Sequence, residues 1–424
     1  MAMRWIAARS LATVLVQQVH SVALTGYNAA VPLNPFIWEY AIEDGVPREP
    51  FARETALQLK AGTHVALFGP RGTGKTSFTL ELRRELGRDH EADAPPWQML
   101  RIDLRRAISL PAFIGATRNA LDGHPDGQLR RRAGDAWRRL EKSIGINLGV
   151  VAAGVRTGGR QALNEAEVLH DQLHALTQAA DRLVIVFDEF QRLNSCPGEP
   201  LSIIRSALME PEAGGKVSLL LTGSLREKLE LMLHTDTEPI WDQTHDVALP
   251  SIDAEPFAAF LEHAFEASGK PIDERAADLL VELTDAHPKR TQHLAWQTWE
   301  TTEDGERVDG DAVQAAFEQL LSTRSHSTDF GSIVDGFLAG EGSDGNGAKA
   351  LFLVASGASP GSRTAPPRYG LSGPDAAKRA LERLRARGVV EGSGSDWRIV
   401  DPLFAEWLRR NDPLAIEPPT SPED

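Results

Sequence analysis

Residues 69–76 read Gly-Pro-Arg-Gly-Thr-Gly-Lys-Thr, a glycine-rich loop whose residue types suit phosphate binding. The glycines allow a tight turn in which successive backbone N–H groups converge on an anion. The Lys75 ammonium is expected to reach the β- and γ-phosphates of a nucleotide, and the Thr76 hydroxyl to bind Mg²⁺. The predicted nucleotide-contacting residues of this loop are Gly69, Pro70, Arg71, Gly72, Thr73, Gly74, Lys75, Thr76 and Ser77.

The segments on either side of the loop support a phosphate site. The apolar run at 64–68 predicts a strand before the loop, and the pattern of 77–86 predicts a helix after it. The start of a helix adds the positive end of its dipole to the loop amides. The alternative is a glycine-rich turn that contains a lysine by chance. The agreement of loop, strand and helix favours a site for ATP.

A second strand is predicted to complete the magnesium site. Residues 183–187 are all apolar, as in a strand that is buried on both faces of a parallel sheet, and Asp188 and Glu189 follow directly. Asp188 is expected to bind Mg²⁺ directly or through water, and Glu189 to polarise the attacking water. The alternative is a core strand that ends in a solvated acidic turn, which the phosphate loop disfavours.

A third strand, predicted at 217–221, ends in Thr222-Gly223-Ser224. A hydroxyl at the tip of this strand is well placed to sense the γ-phosphate. Thr222 and Ser224 both remain candidates for this catalytic role, and the structural alternative is an ordinary turn.

The order of these elements predicts an α/β P-loop fold with a parallel sheet, to which a fourth strand at 97–102 is added. Residues 253–302 have helical periodicity, which predicts a helical region, called the lid below. From residue 347 onwards, two helices and a hairpin predict a winged helix. The predicted regions are an N-terminal extension at 1–30, the ATPase core at 31–250, the lid at 251–325, the winged-helix domain at 326–412 and a disordered acidic tail at 413–424.

Composition limits the classes of function. The chain has 424 residues and a net charge of −15, so the chain as a whole is unsuited to binding a polyanion. Residues 347–412 are an exception, with eleven basic and seven acidic side chains. The single cysteine, Cys196, excludes an internal disulfide framework and favours the cytoplasm, and no segment has the pattern of a transmembrane helix.

Together the motifs resemble archaeal-type and bacterial AAA-family P-loop ATPases, which are related to the STAND signalling ATPases and to origin-recognition ATPases. The segments that carry the resemblance are Asn34-Pro35-Phe36, 50–54, 68–77, 188–191, 223–233, His287-Pro288 with Gln292, and 400–408. The resemblance runs from about Asn34 to Arg410.

The resemblance implies further site residues. Arg53 lies in the element that precedes the core, although Ala52 stands where glycine is common in the family. His287 and Arg290, at the start of the last lid helix, are expected to approach the phosphates and to distinguish ATP from ADP. The alternative for His287 is a helix cap.

The resemblance also implies a Mg²⁺-dependent ATPase that moves its lid and winged helix against double-stranded DNA or a protein client, with further copies of the chain as another partner to test. Residues 239–245 lack the arginine that many relatives carry there, which predicts slow hydrolysis or a finger elsewhere, such as Arg226. The alternative is a signalling switch or scaffold that holds nucleotide with little turnover. A small-molecule kinase is less favoured because no acceptor site is evident.

Overall fold

A computed structural model describes residues 33–88, 95–144, 165–209, 217–322, 329–339 and 345–414. The predicted extension at 1–30, and all but the first residues of the predicted tail, lie outside the described residues. The chain forms two compact units. The sheet unit comprises Arg48–Pro70 and Lys75–Pro250, and the helical unit comprises Arg71–Gly74 and the described residues of Met1–Pro47 and Ser251–Asp424.

The sheet unit is built on a five-stranded sheet in which every neighbouring pair of strands is parallel. Its strands are β1 (Val65–Phe68), β2 (Gln98–Asp103), β3 (Leu183–Asp188), β4 (Val217–Gly223) and β5 (His245–Ala248). Their order across the sheet is β2-β3-β4-β1-β5, so β4 lies between the strand before the loop and the strand that ends at Asp188. The parallel P-loop α/β sheet predicted from the sequence is confirmed.

Both faces of the sheet are buried, as the apolar run of β3 predicts. Ile185 and Phe187 belong to one hydrophobic cluster, whereas Val184 and Val186 belong to a second cluster. Successive side chains of a strand point to opposite faces, so the two clusters lie on opposite sides of the sheet. The helices of this unit are α1 (Glu49–Lys60), α2 (Lys75–Arg88), α3 (Leu110–Asp122), α4 (Gly127–Ile144), α5 (Glu165–Ala179), α6 (Pro200–Ile204) and α7 (Arg226–His234).

The helical unit has its own core. Phe257, Leu261 and Phe265 follow the helical spacing predicted from the sequence, and all three are buried. The helices are α8 (Ala254–Ala267), α9 (Glu274–Glu282), α10 (Pro288–Thr301), α11 (Gly310–Ser322), α12 (Phe330–Ala339), α13 (Asn346–Ala355), α14 (Ala365–Arg368), α15 (Pro374–Ala386) and α16 (Pro402–Arg410).

The C-terminal part of this unit contains an antiparallel hairpin, β6 (Val390–Ser393) and β7 (Asp396–Ile399), directly after α15. The helices and the hairpin occur in the predicted order, and the winged-helix interpretation stays a prediction. Within the described ranges, no helix combines the length and apolar character needed to cross a bilayer.

Candidate nucleotide site

The glycine-rich loop connects β1 to α2, as predicted, and α2 begins at Lys75. Lys75 is 7% exposed, and its ammonium group donates to the carbonyl oxygens of Gly69 at 2.6 Å and Pro70 at 2.8 Å. The lysine therefore lies folded back over the start of its own loop. Thr76 and Ser77, which are half-buried, occupy the first turn of α2, where the positive end of the helix dipole favours an anion.

Two loop glycines have backbone conformations that side chains rarely adopt. Gly72 has φ +84° and Gly74 has φ +91°. Because glycine lacks a Cβ, this left-handed conformation costs it little. Such a turn directs consecutive N–H groups to one side, which is the geometry that binds phosphate oxygens.

Asp188 ends β3 and is 5% exposed. Its Oδ1 accepts a hydrogen bond of 2.6 Å from the Thr222 hydroxyl on β4, the residue aligned with it in the sheet. Its Oδ2 accepts from two nitrogens of Arg101 on β2, Nε at 3.1 Å and Nη2. Both oxygens of the predicted magnesium ligand are therefore engaged within the sheet unit.

Glu189, the next residue, has a left-handed backbone with φ +61°. A non-glycine residue in this region is strained and is often found at a functional site. Its Oε2 accepts a hydrogen bond of 2.9 Å from the Ser224 hydroxyl and another from the Gln191 side chain. Thr222 and Ser224, which the sequence could not rank, thus bind different carboxylates.

Arg101 and Gln191 were not predicted as site residues. One signal for Arg101 was present, because it is a charged residue inside the otherwise uncharged strand pattern at 97–102. Its partner lies across the sheet on β3 and could not be identified from the sequence.

The donor groups suit magnesium. Mg²⁺ prefers hard oxygen ligands and is held by one or two carboxylates together with substrate phosphates. The Asp188 carboxylate and the Thr76 hydroxyl are donors of this kind. Among the described residues no cluster of three or more His, Cys, Asp or Glu side chains could hold a metal ion.

His287 caps α10 within the helical unit. Its Nδ1 accepts from the backbone N–H of Arg290 at 3.3 Å, as in the cap alternative drawn from the sequence. Its Nε2 lies 3.3 Å from the Arg71 carbonyl oxygen, and Lys289 N–H donates to the Gly72 carbonyl at 3.2 Å. Burial lowers the pKa of His287, so the ring is neutral near pH 7.

Arg290 is buried at 5% exposure and forms an ion pair with Asp401. The Arg290 Nε lies 2.9 Å from both carboxylate oxygens of Asp401, and Nη2 also contacts Oδ2. Asp401 in turn caps α16 by accepting from the N–H groups of Leu403 and Phe404. Arg290, predicted to contact nucleotide, is therefore joined to the C-terminal segment.

Arg53 lies on the exposed face of α1. It lines an open groove together with the charged side chains of Glu49, Glu54, Glu85 and Arg88. Its predicted contact with nucleotide stays a prediction.

The strand order, the loop and the acidic end of β3 define a P-loop fold of the α/β class. Residues 54–223 match the family model of the AAA ATPase domain. The chain is similar in structure to the Walker-type ATPase PABY2304 of Pyrococcus abyssi, with 18% identity, TM-score 0.59, and coverage of 87% of this chain and 97% of that one. It is also similar to the Aeropyrum pernix ORC2 protein in its ADPNP–ADP complexes, with 15% identity, TM-score 0.57, and coverage of 89% of this chain and 98% of that one. These two likenesses establish a shared fold. No curated protein matches the chain.

Proposed function

We propose that the chain binds ATP with Mg²⁺ and hydrolyses it slowly, and that the bound nucleotide controls the lid and the C-terminal segment. The observation that carries the proposal is the pair Asp188 and Glu189 at the end of a buried strand, with a hydroxyl from β4 on each carboxylate. Two adjacent carboxylates with separate partners suit one metal ligand and one general base.

Each group of site residues has a separate proposed role. The N–H groups of 69–77 and the Lys75 ammonium bind the phosphates, while Thr76 and Asp188 hold Mg²⁺, which would neutralise charge on the phosphate oxygens. Glu189 orients and deprotonates the attacking water, and Thr222 reports the γ-phosphate through Asp188. Arg53, His287 and Arg290 are the further proposed contacts. Arg290 contributes only if it leaves Asp401.

Slow turnover is supported by the contacts of Glu189. Its carboxylate is held by Ser224 and Gln191, so a water molecule must compete with two side-chain donors for it. Arg226, the alternative arginine finger, is paired with Glu230 at 2.6 Å. These contacts also favour the second candidate, a nucleotide-held switch or scaffold with little turnover.

Double-stranded DNA and a protein client are the two proposed partners, and α15 is the element that would contact DNA. Lys378, Arg379 and Arg383 are exposed on α15, where a recognition helix would meet a major groove. Arg385 and Arg387 contribute less, because their guanidinium groups lie over the rings of Trp397 and Phe337. A protein client is the alternative outcome.

Steady-state ATP hydrolysis, with and without double-stranded DNA, tests the proposal in the full chain and in Glu189→Gln. Turnover that rises with DNA and disappears in the variant supports a DNA-coupled ATPase. Turnover that is unaffected by DNA indicates that the partner is a protein. Nucleotide that stays bound through purification, with equal and minimal turnover in both proteins, establishes the switch instead.

A further inference from the structure

Among the described residues, Arg101 is the positively charged side chain that donates hydrogen bonds to Asp188. We propose that Arg101 is a resident counter-ion, which holds Asp188 in the metal-free protein and must be displaced before Asp188 binds Mg²⁺. Arg101 thereby sets the magnesium concentration that nucleotide binding requires. The inference rests on the proposed function, in which Asp188 is a magnesium ligand.

Both carboxylate oxygens of Asp188 accept hydrogen bonds from side chains of the sheet unit. Two Arg101 nitrogens donate to Oδ2, and the Thr222 hydroxyl donates to Oδ1. A metal ion that binds a carboxylate needs one of these oxygens. Thr222 is uncharged and fully buried, so it can keep its hydrogen bond, whereas a cation beside Mg²⁺ is repelled. Repulsion between the guanidinium group and the metal therefore favours loss of the Arg101 contact, rather than the Thr222 contact, when Mg²⁺ binds Asp188.

The position of Arg101 allows this exchange. Asp103, not Arg101, is aligned with Asp188 in the sheet, so the Arg101 side chain reaches forward along β2 to make the contact. Its side chain is 36% exposed, whereas that of Asp188 is 7% exposed. The arginine can thus move towards solvent, and the carboxylate cannot.

A neighbouring pair shows that the contact is specific. Arg105 donates through Nε to both oxygens of Asp103, at 2.8 and 3.0 Å, and its side chain is 68% exposed. Each of the two arginines thus pairs with a different aspartate. Only Asp188 belongs to the proposed magnesium site, so Arg105 provides a matched control.

Exchange predicts a reciprocal coupling between the arginine and the metal. Without Arg101, the Asp188 charge is poorly compensated when no metal is bound, and Mg²⁺ meets no competitor. The metal-free protein should lose stability and the affinity for Mg²⁺ should rise. If Arg101 had only a structural role, its removal would lower the stability and leave the affinity for Mg²⁺ unchanged.

The first experiment titrates MgCl₂ into the full chain with a fluorescent ADP analogue, and compares wild type, Arg101→Gln and Arg105→Gln. We expect the MgCl₂ midpoint for nucleotide binding to fall about tenfold in Arg101→Gln, within the usual range of coupling between two sites. The midpoint should fall much less in Arg105→Gln, because Arg105 makes its hydrogen bonds to Asp103 and acts on Asp188 only through longer-range electrostatics. An unchanged or higher midpoint in Arg101→Gln overturns the proposal.

The second experiment measures the Tm without nucleotide, in EDTA and in MgCl₂. In EDTA, Arg101→Gln should melt at least about 4 °C below wild type, because it leaves a buried charge without its partner. MgCl₂ should recover part of this loss. If Arg101→Gln does not fold, Arg101→Lys replaces it, since a lysine keeps the charge but cannot make the two-nitrogen contact. Its MgCl₂ midpoint should fall below that of wild type, and an equal midpoint overturns the proposal.

The two proposals fail in different ways. If wild type binds no nucleotide at any MgCl₂ concentration, the proposed function is wrong. If wild type binds nucleotide in a magnesium-dependent manner and the Arg101 variants do not shift the midpoint, only the counter-ion proposal is wrong.

Discussion

The Thr222 hydroxyl donates to Asp188 Oδ1 across the β3–β4 pair, and the two residues are aligned in the sheet. Thr222 is fully buried and Asp188 nearly so. The hydroxyl therefore fixes the orientation of the carboxylate that the proposed function assigns to Mg²⁺. Any loss of this hydrogen bond is not replaced by water, because water does not reach Thr222.

Thr222→Val, which keeps the shape and removes the donor, should lower the free energy of unfolding by about 1 to 3 kcal/mol. It should also slow ATP hydrolysis, because Asp188 is no longer oriented. Urea unfolding and steady-state hydrolysis measure the two effects. Thr222→Ser retains the hydroxyl and is the control, and equal behaviour of the two variants would exclude a role for the hydrogen bond.

The ion pair of the buried Arg290 with the half-buried Asp401 should contribute to the stability of the helical unit. Asp401→Asn keeps a side chain that can cap α16 but removes the carboxylate charge that faces the buried Arg290. We expect a loss of about 3 kcal/mol in chemical denaturation. Glu318→Gln is the control, because it breaks the exposed pair of Glu318 with Arg410 and should change stability by less than about 1 kcal/mol. Similar losses of unfolding free energy in both variants would contradict the stabilising role of the Arg290–Asp401 pair.

Gly72→Ala should lower the free energy of unfolding by more than the backbone strain of a left-handed alanine alone. A Cβ at Gly72 would lie 2.7 Å from His287 Cε1, whereas a Cβ at Gly62 meets nothing within 4 Å. Both glycines have positive φ, at +84° and +88°. Gly62→Ala should therefore show only the backbone strain of about 1 to 2 kcal/mol.

We expect Gly72→Ala to exceed Gly62→Ala by at least about 1 kcal/mol in chemical denaturation. Adding His287→Ala should recover part of that excess, since it removes the atom that the Cβ would meet. If the double variant is no more stable than Gly72→Ala, the contact with His287 does not account for the excess.

His293 should make stability depend on pH. Burial, with the nearby charges of Arg290 and Lys289, lowers the pKa of His293 to about 4, and its ring stacks on Trp38 with centroids 4.0 Å apart. Above about pH 6.5 the ring is neutral in both the folded and the unfolded chain, so its contribution is complete. As the pH falls from 6.5 to 4, only the unfolded chain takes up the proton, and stability is lost.

The expected loss from His293 between pH 7.5 and pH 5 is about 2 kcal/mol. Urea unfolding at the two pH values measures it. His293→Phe keeps an aromatic ring against Trp38 and cannot be protonated, so the difference between the two pH values should shrink by that amount. An unchanged difference would assign the acid sensitivity to other buried histidines, such as His64 and His124, whose pKa values burial also lowers.

The strands of the site could be predicted because their signal is local. The run at 183–187 is apolar without interruption, and it forms β3, which is buried on both faces and ends at Asp188 as expected. The pairing of Arg101 with Asp188 could not be predicted, because it depends on the register between β2 and β3. The same holds for Arg290, whose partner Asp401 is distant in sequence. The roles of Glu189, Lys75 and the loop residues stay predictions until nucleotide binding is measured.

The cap at the start of α10 determines where His287 carries its proton. Because Nδ1 accepts the N–H of Arg290, that nitrogen has no hydrogen, and the neutral ring is the Nε2–H tautomer. Nε2 then donates to the Arg71 carbonyl. At neutral pH the imidazole therefore offers one directed hydrogen bond and no charge. Added salt should leave this contact intact, whereas acid that protonates Nδ1 would remove the helix cap while the Nε2 proton remains.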